Sequence, residues 1–151
     1  MMEHQAFPYQ PIDESPAWQL LKTGRRRVAQ RPSFIRSVSC AVEGVRFAFR
    51  NERNFRIHCL AGGAAVLLAC ALQLPIHSIV LVAALSLLVL CAELMNTAIE
   101  STLDLHVGET FDPTVKPIKD MAAASVLVVS LGAAILGASL FLPVVVQRFA
   151  R

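Results

Sequence analysis

From Glu93 to Asp104 the sequence reads ELMNTAIESTLD, and Asn96, Thr97, Glu100 and Asp104 follow Glu93 by 3, 4, 7 and 11 positions. At 100° per residue this spacing puts all five side chains within about 100° of one helix face. The stripe comes directly after LVAALSLLVLCA, a run apolar enough to lie in a membrane. A carboxylate at that depth is costly unless it is neutralised, paired or bound to a cation, so acids placed here mark a functional site.

Two kinds of chemistry suit such a face. Carboxylate oxygens take hard cations such as Mg²⁺, and a carboxylate in a sheltered site can accept a proton from a substrate. Glu52, ahead of the first apolar run, adds a second acid, and Lys119, ahead of the last, adds a cation. Together these are the parts for Mg²⁺-dependent phosphoryl transfer at a membrane surface. The sequence holds no G-x-x-x-x-G-K-[ST], no G-x-G-x-x-G and no H-R-D, which excludes a soluble-type kinase or ATPase. It holds neither H-E-x-x-H nor a G-x-S-x-G elbow, so zinc protease and serine hydrolase readings have no support. Two non-kinase readings stay open on these residues: a small cation or proton carrier, and a scaffold whose charges only pair helices.

The elements that must hold this face follow from composition. At 151 residues, 55% hydrophobic and 17% charged, the chain is too apolar for a soluble domain of its size. The fold class expected is an all-α membrane protein. About 20 apolar residues cross a bilayer core of about 30 Å, and three stretches approach that length, at about 57–74, 79–103 and 121–146. Pro75 separates the first two into a hairpin, because a proline inside a helix breaks its hydrogen-bond ladder.

Ten of the fourteen Lys and Arg residues lie between Lys22 and Arg56, and the hairpin tip has none. The positive-inside rule then predicts a cytoplasmic N-terminus and 105–120 loop, with the C-terminus outside. The charge excess reflects topology, so no nucleic-acid partner is expected. Cys59, Cys70 and Cys91 fall inside apolar runs, and no C-x-x-C spacing is present, which reads as packing and not as metal or disulfide chemistry.

Residues 1–32, with Pro8, Pro11, Pro16 and the Arg25 to Arg27 triplet, read as a flexible basic cytoplasmic extension near anionic headgroups. Over about 33–50, Phe34, Val38, Ala41, Val42, Val45, Ala48 and Phe49 share one helical sector, opposite Arg36, Ser39, Glu43, Arg46 and Arg50. That pattern predicts an amphipathic helix on the membrane surface. In the loop after the second span, Pro113 and Pro117 argue against continuous helix, and Asp120 could serve as an N-cap for the third. Small residues along the third span, Gly132 and Gly137 among them, favour close helix approach and association.

Three blocks, EGVRFAFRNERNFRIH, AELMNTAIESTLDL and KDMAAASVLV, resemble in sequence and order the small prokaryotic integral-membrane lipid kinases, which comprise diacylglycerol kinase and undecaprenol kinase. The resemblance runs over about 33–146. It implies a lipid kinase domain at 33–151 in a bacterial inner membrane, built as a homotrimer with composite sites near the cytoplasmic face. It further implies ATP as co-substrate, Mg²⁺ as cofactor and a lipid alcohol as acceptor. By the same resemblance Glu93 is the general base, Glu52 and Glu100 hold Mg²⁺, and Lys119, Asp120, Asn96 and Asp104 serve the nucleotide. Arg56 and Asn51 join them as candidate contacts to substrate or phosphate. NERNFRIH and AELMNTAIESTLDL look closer to the undecaprenol kinase branch, with diacylglycerol kinase as the alternative.

Overall fold

The computed structural model of the chain describes residues 33–108 and 113–150; the basic extension at 1–32 and the 109–112 part of the loop lie outside the described residues. All regular structure among them is helical. Four helices follow in order: α1 (Phe34–Asn51), α2 (Arg53–Ala71), α3 (Ile76–Val107) and α4 (Lys116–Phe149). The last three are long and apolar enough to cross a membrane.

The chain divides into two compact units at Cys40. In the first, Ser33 starts α1 as its polar lead residue: its Oγ accepts from the Arg36 N–H at 3.4 Å, and its carbonyl accepts from the Ser37 N–H at 3.0 Å. A serine here satisfies amides that the first helical turn leaves without partners. The second unit is Ala41–Arg151.

α2 and α3 form the expected hairpin, and its turn has a clear cause. The Leu74 N–H bonds to the Ala69 carbonyl at 3.0 Å and the Gln73 N–H to Cys70 at 2.9 Å. These are the two bonds of a Schellman motif, with Gln73 in the left-handed position at φ 54°. Leu74 and Ala69 are both buried, which supplies the apolar contact that accompanies this motif. Pro75 follows as the N-cap of α3, where its missing N–H costs nothing.

The helices run further than hydropathy indicates. α2 reaches back to Arg53, α3 extends on to Val107, and α4 begins at Lys116 with Pro117 in its first turn. Proline is tolerated there because first-turn amides have no intrahelical acceptor. The N-cap of α4 is Val115, so Asp120 stands inside the helix and is not its cap. Gly108, at φ 65°, ends α3.

α3 packs along both α2 and α4. A Cβ on Gly62 would stand 2.9 Å from the Ser86 Cβ, so α2 and α3 approach as closely as they do because Gly62 has no side chain. Val82, Val89, Ala122 and Val126 are buried, while Leu60, Leu67, Leu87 and Leu127 stay exposed. Outward-facing leucines are what a lipid-solvated bundle requires.

Candidate functional site

The acidic face of α3 turns inward. Glu93 is only 3% exposed, and Asn96 and Thr97 are also buried, although none of the three is apolar. Glu100 is half-buried and Asp104 is exposed, so the stripe grades from core to surface along three turns.

Glu52 is held by a different device. It stands alone between α1 and α2 in extended conformation, φ −99° and ψ 118°, as the N-cap of α2. Its N–H donates to the Ala48 carbonyl at 2.8 Å, and Ala48 and Phe55 on either side are buried. Its carboxylate makes no capping bond, which leaves it available beside the positive end of α2. Glu93 lies within electrostatic reach of His58, Glu100 and Glu52. The structure therefore sets Glu52 and Glu100, which the sequence places 41 positions before and 7 after Glu93, both within electrostatic range of it.

Glu93 and Asn96 open into a chamber of about 260 Å³ whose other polar walls are Asn54 and His58 of α2 and Ser130 of α4. Two atoms of residues that line this chamber, Asn96 Oδ1 and Ser130 Oγ, are buried and have no hydrogen-bond partner. Buried polar atoms are nearly always paired in folded proteins, so two unpaired ones beside one chamber are a departure that apolar packing does not account for.

The remaining sequence candidates are engaged locally. Lys119 Nζ of α4 donates to Asp104 Oδ1 of α3, tying the ends of the two helices, and Lys116 pairs with Asp120 at 2.5 Å one turn apart. Arg56 donates to the carbonyls of Phe49 at 3.2 Å and Arg50 at 2.9 Å, closing the C-terminal end of α1. The Asn51 amide donates to the Phe47 carbonyl at 2.9 Å. Arg56 and Asn51 thus fix the α1–α2 corner that carries Glu52.

Sequence reading missed Asn54, His58, Ser130 and Lys116. Asn54 and His58 stand four apart and share a face of α2, a spacing that was legible. Ser130 gave no signal, because one hydroxyl in an apolar run is ordinary.

Among the described residues no three His, Cys, Asp or Glu side chains are grouped closely enough to hold a metal by themselves. Glu52 and Glu100, each half-buried and within electrostatic reach of Glu93, are nonetheless carboxylates of the kind that Mg²⁺ takes. That ion commonly takes one or two protein carboxylates and fills its octahedron with waters and substrate phosphates.

Comparison with known proteins gives consistent answers. The family model described as prokaryotic diacylglycerol kinase matches residues 39–141. A protein from Synechocystis sp. named diacylglycerol kinase is 41% identical over 112 residues, covering 74% of this chain and 64% of the relative, a little less than two thirds of its length. Undecaprenol kinase of Bacillus subtilis is 34% identical over 110 residues, 73% of this chain and 89% of the relative. Diacylglycerol kinase of Escherichia coli is 33% identical over 101 residues, 67% of this chain and 82% of the relative.

Proposed function

Because this chain belongs to the prokaryotic diacylglycerol kinase family, we propose that it is a membrane lipid kinase, transferring the γ-phosphoryl group of ATP to a lipid hydroxyl. The observation that carries this reading is the burial of Glu93, at the end of an apolar span, beside Asn96 and within reach of Glu52 and Glu100. A lipid whose tail lies among the spans presents its hydroxyl at that depth.

Glu93 accepts the hydroxyl proton as the lipid oxygen bonds to the γ-phosphorus, and the bond from phosphorus to the bridging oxygen breaks to release ADP. Glu52 and Glu100 would hold Mg²⁺, and the bound ion would supply neutralisation of phosphate charge. Asn96 orients the reacting groups from the neighbouring turn. Lys119 and Asp104, with Asp120, receive the nucleotide at the cytoplasmic end, and Arg56 and Asn51 stand by as further phosphate contacts. The α1 helix lies on the membrane surface with Val42, Val45 and Phe49 toward lipid, all of them exposed in the single chain. N-terminus and 105–120 loop are cytoplasmic and the C-terminus is outside, in the inner membrane of a bacterium. Association into a homotrimer covers part of the exposed α4 surface, where Gly132 and Gly137 permit close contact.

The motifs NERNFRIH and AELMNTAIESTLDL favour undecaprenol as the acceptor. The 41% identity to a relative named diacylglycerol kinase favours diacylglycerol as a second reading. The deciding experiment offers both lipids, with radiolabelled MgATP, to the purified protein in mixed micelles, and Glu93→Gln as control. Label in either lipid that vanishes in the variant is the expected result. A folded protein that labels neither lipid, or passes cations without ATP, returns the acidic face to the carrier reading.

A further inference from the structure

Four of the eight Ser and Thr hydroxyls on the membrane helices turn back on their own backbone. Ser86 donates to the Val82 carbonyl at 2.9 Å, Thr102 to Ala98 at 2.7 Å, Ser125 to Ala122 at 2.6 Å and Ser139 to Leu136 at 2.7 Å. This is the usual way a Ser or Thr is satisfied inside a membrane helix. Ser130 is different: its Oγ is buried and bonds to nothing.

Its position is also distinctive. Below the Glu93 chamber lies a second cavity of about 210 Å³, walled by small and apolar residues including Gly62, Ala65, Val89, Gly137 and Phe141. Among the described residues, only His58 and Ser130 line both cavities. They form a polar waist between a chamber that holds the acid and a groove that has the character of hydrocarbon.

On the lipid kinase reading, the acceptor hydroxyl is at Glu93 and the tail runs into the apolar groove, so the waist meets whatever atoms join head to tail. A polyprenol offers only carbon there, which would leave the Ser130 hydroxyl unpaired in a dry site, an unfavourable arrangement. A diacylglycerol offers an ester carbonyl a few bonds from its free hydroxyl, and a carbonyl needs the donor that Ser130 has free. The geometry points to Ser130, at the His58 waist, as the donor that reads the ester carbonyl of the acceptor, which favours the second of the two proposed acceptors, a glycerolipid, over a polyprenol. Sites built to hydrogen-bond a substrate group discriminate strongly against analogues without that group.

This inference rests on the kinase reading, and one experiment separates the two. Full-length protein and Ser130→Ala are assayed in nanodiscs with three acceptors: diacylglycerol, the chain-matched dialkylglycerol ether that lacks both carbonyls, and undecaprenol. The wild type is expected to favour the diacyl over the dialkyl lipid in kcat/KM by about tenfold, the worth of one hydrogen bond. Ser130→Ala should erase that ratio by lowering the diacyl rate alone, and Ser130→Thr should restore it. A ratio unaffected by Ser130→Ala, an equal fall on all acceptors, or a wild-type preference for undecaprenol overturns the inference and leaves the kinase standing. No label on any acceptor overturns both.

Discussion

Between Ile76 and Val89, α3 buries Ser78, Val82 and Val89, and from Glu93 onward it buries Glu93, Asn96 and Thr97. All six positions lie within about 100° of one face, so the helix presents the same stripe to its neighbours along its whole length. What changes is the chemistry of the stripe. The lower half contacts α2 through close packing at Gly62 and Ser86. The upper half places an acid and two polar side chains where packing alone would select valine or alanine. Burying polar groups without full pairing opposes folding, so the upper half has to be retained for what it does.

The largest expected effect tests that division directly. Glu93→Gln keeps the volume of the side chain and removes the base, which should lower kcat by about 10²–10⁴-fold. Resistance to unfolding in SDS should be unchanged or higher, since a neutral amide is easier to bury than an acid. Phosphotransfer assays and SDS titrations on the same preparation would read both. Retained activity with a sharp fall in stability would make Glu93 a structural pairing residue and abolish the contrast between the halves.

The converse change belongs in the lower half. Gly62→Ala brings a Cβ to 2.9 Å from that of Ser86, a contact that must force the two helices apart. The expected cost is about 1–3 kcal/mol in unfolding free energy, as for other overpacked sites. Adding Ser86→Gly should recover most of it. Failure of the second change to rescue the first would mean that the α2–α3 contact is looser than its geometry implies.

How far these features were legible in the sequence differs in the same way. Three spans, the break at Pro75 and the inward stripe from Glu93 follow from hydropathy and periodicity, because a helix in lipid satisfies its own backbone and leaves only its faces to be chosen. The helix ends lie beyond what hydropathy reads, for the opposite reason. Arg53, Val107 and Lys116 continue helices past the apolar windows, and hydropathy reports the bilayer and not the backbone. Glu52 was picked out by its charge, but its extended lone position between two helices is a tertiary fact. Ser130 was invisible because what sets it apart is a missing bond. Asp120 as a cap failed once Val115 and Pro117 extended the helix N-terminal to it.

The smallest effect concerns the surface end of the stripe, where Asp104 and Lys119 link α3 to α4 with side chains 58% and 34% exposed. An ion pair so open to water is screened by salt within about 8 Å at physiological strength and contributes about 0.2–1 kcal/mol. A double-mutant cycle of Asp104→Asn and Lys119→Gln should return a coupling in that range, falling as salt is raised. The same Lys119→Gln variant should raise the KM for MgATP far more than so small a stability change could explain, if the lysine exchanges its aspartate for a phosphate when the nucleotide arrives. A coupling above about 2 kcal/mol with an unaltered KM would instead assign the pair to helix docking, and the functional half of α3 would then stop at Glu100.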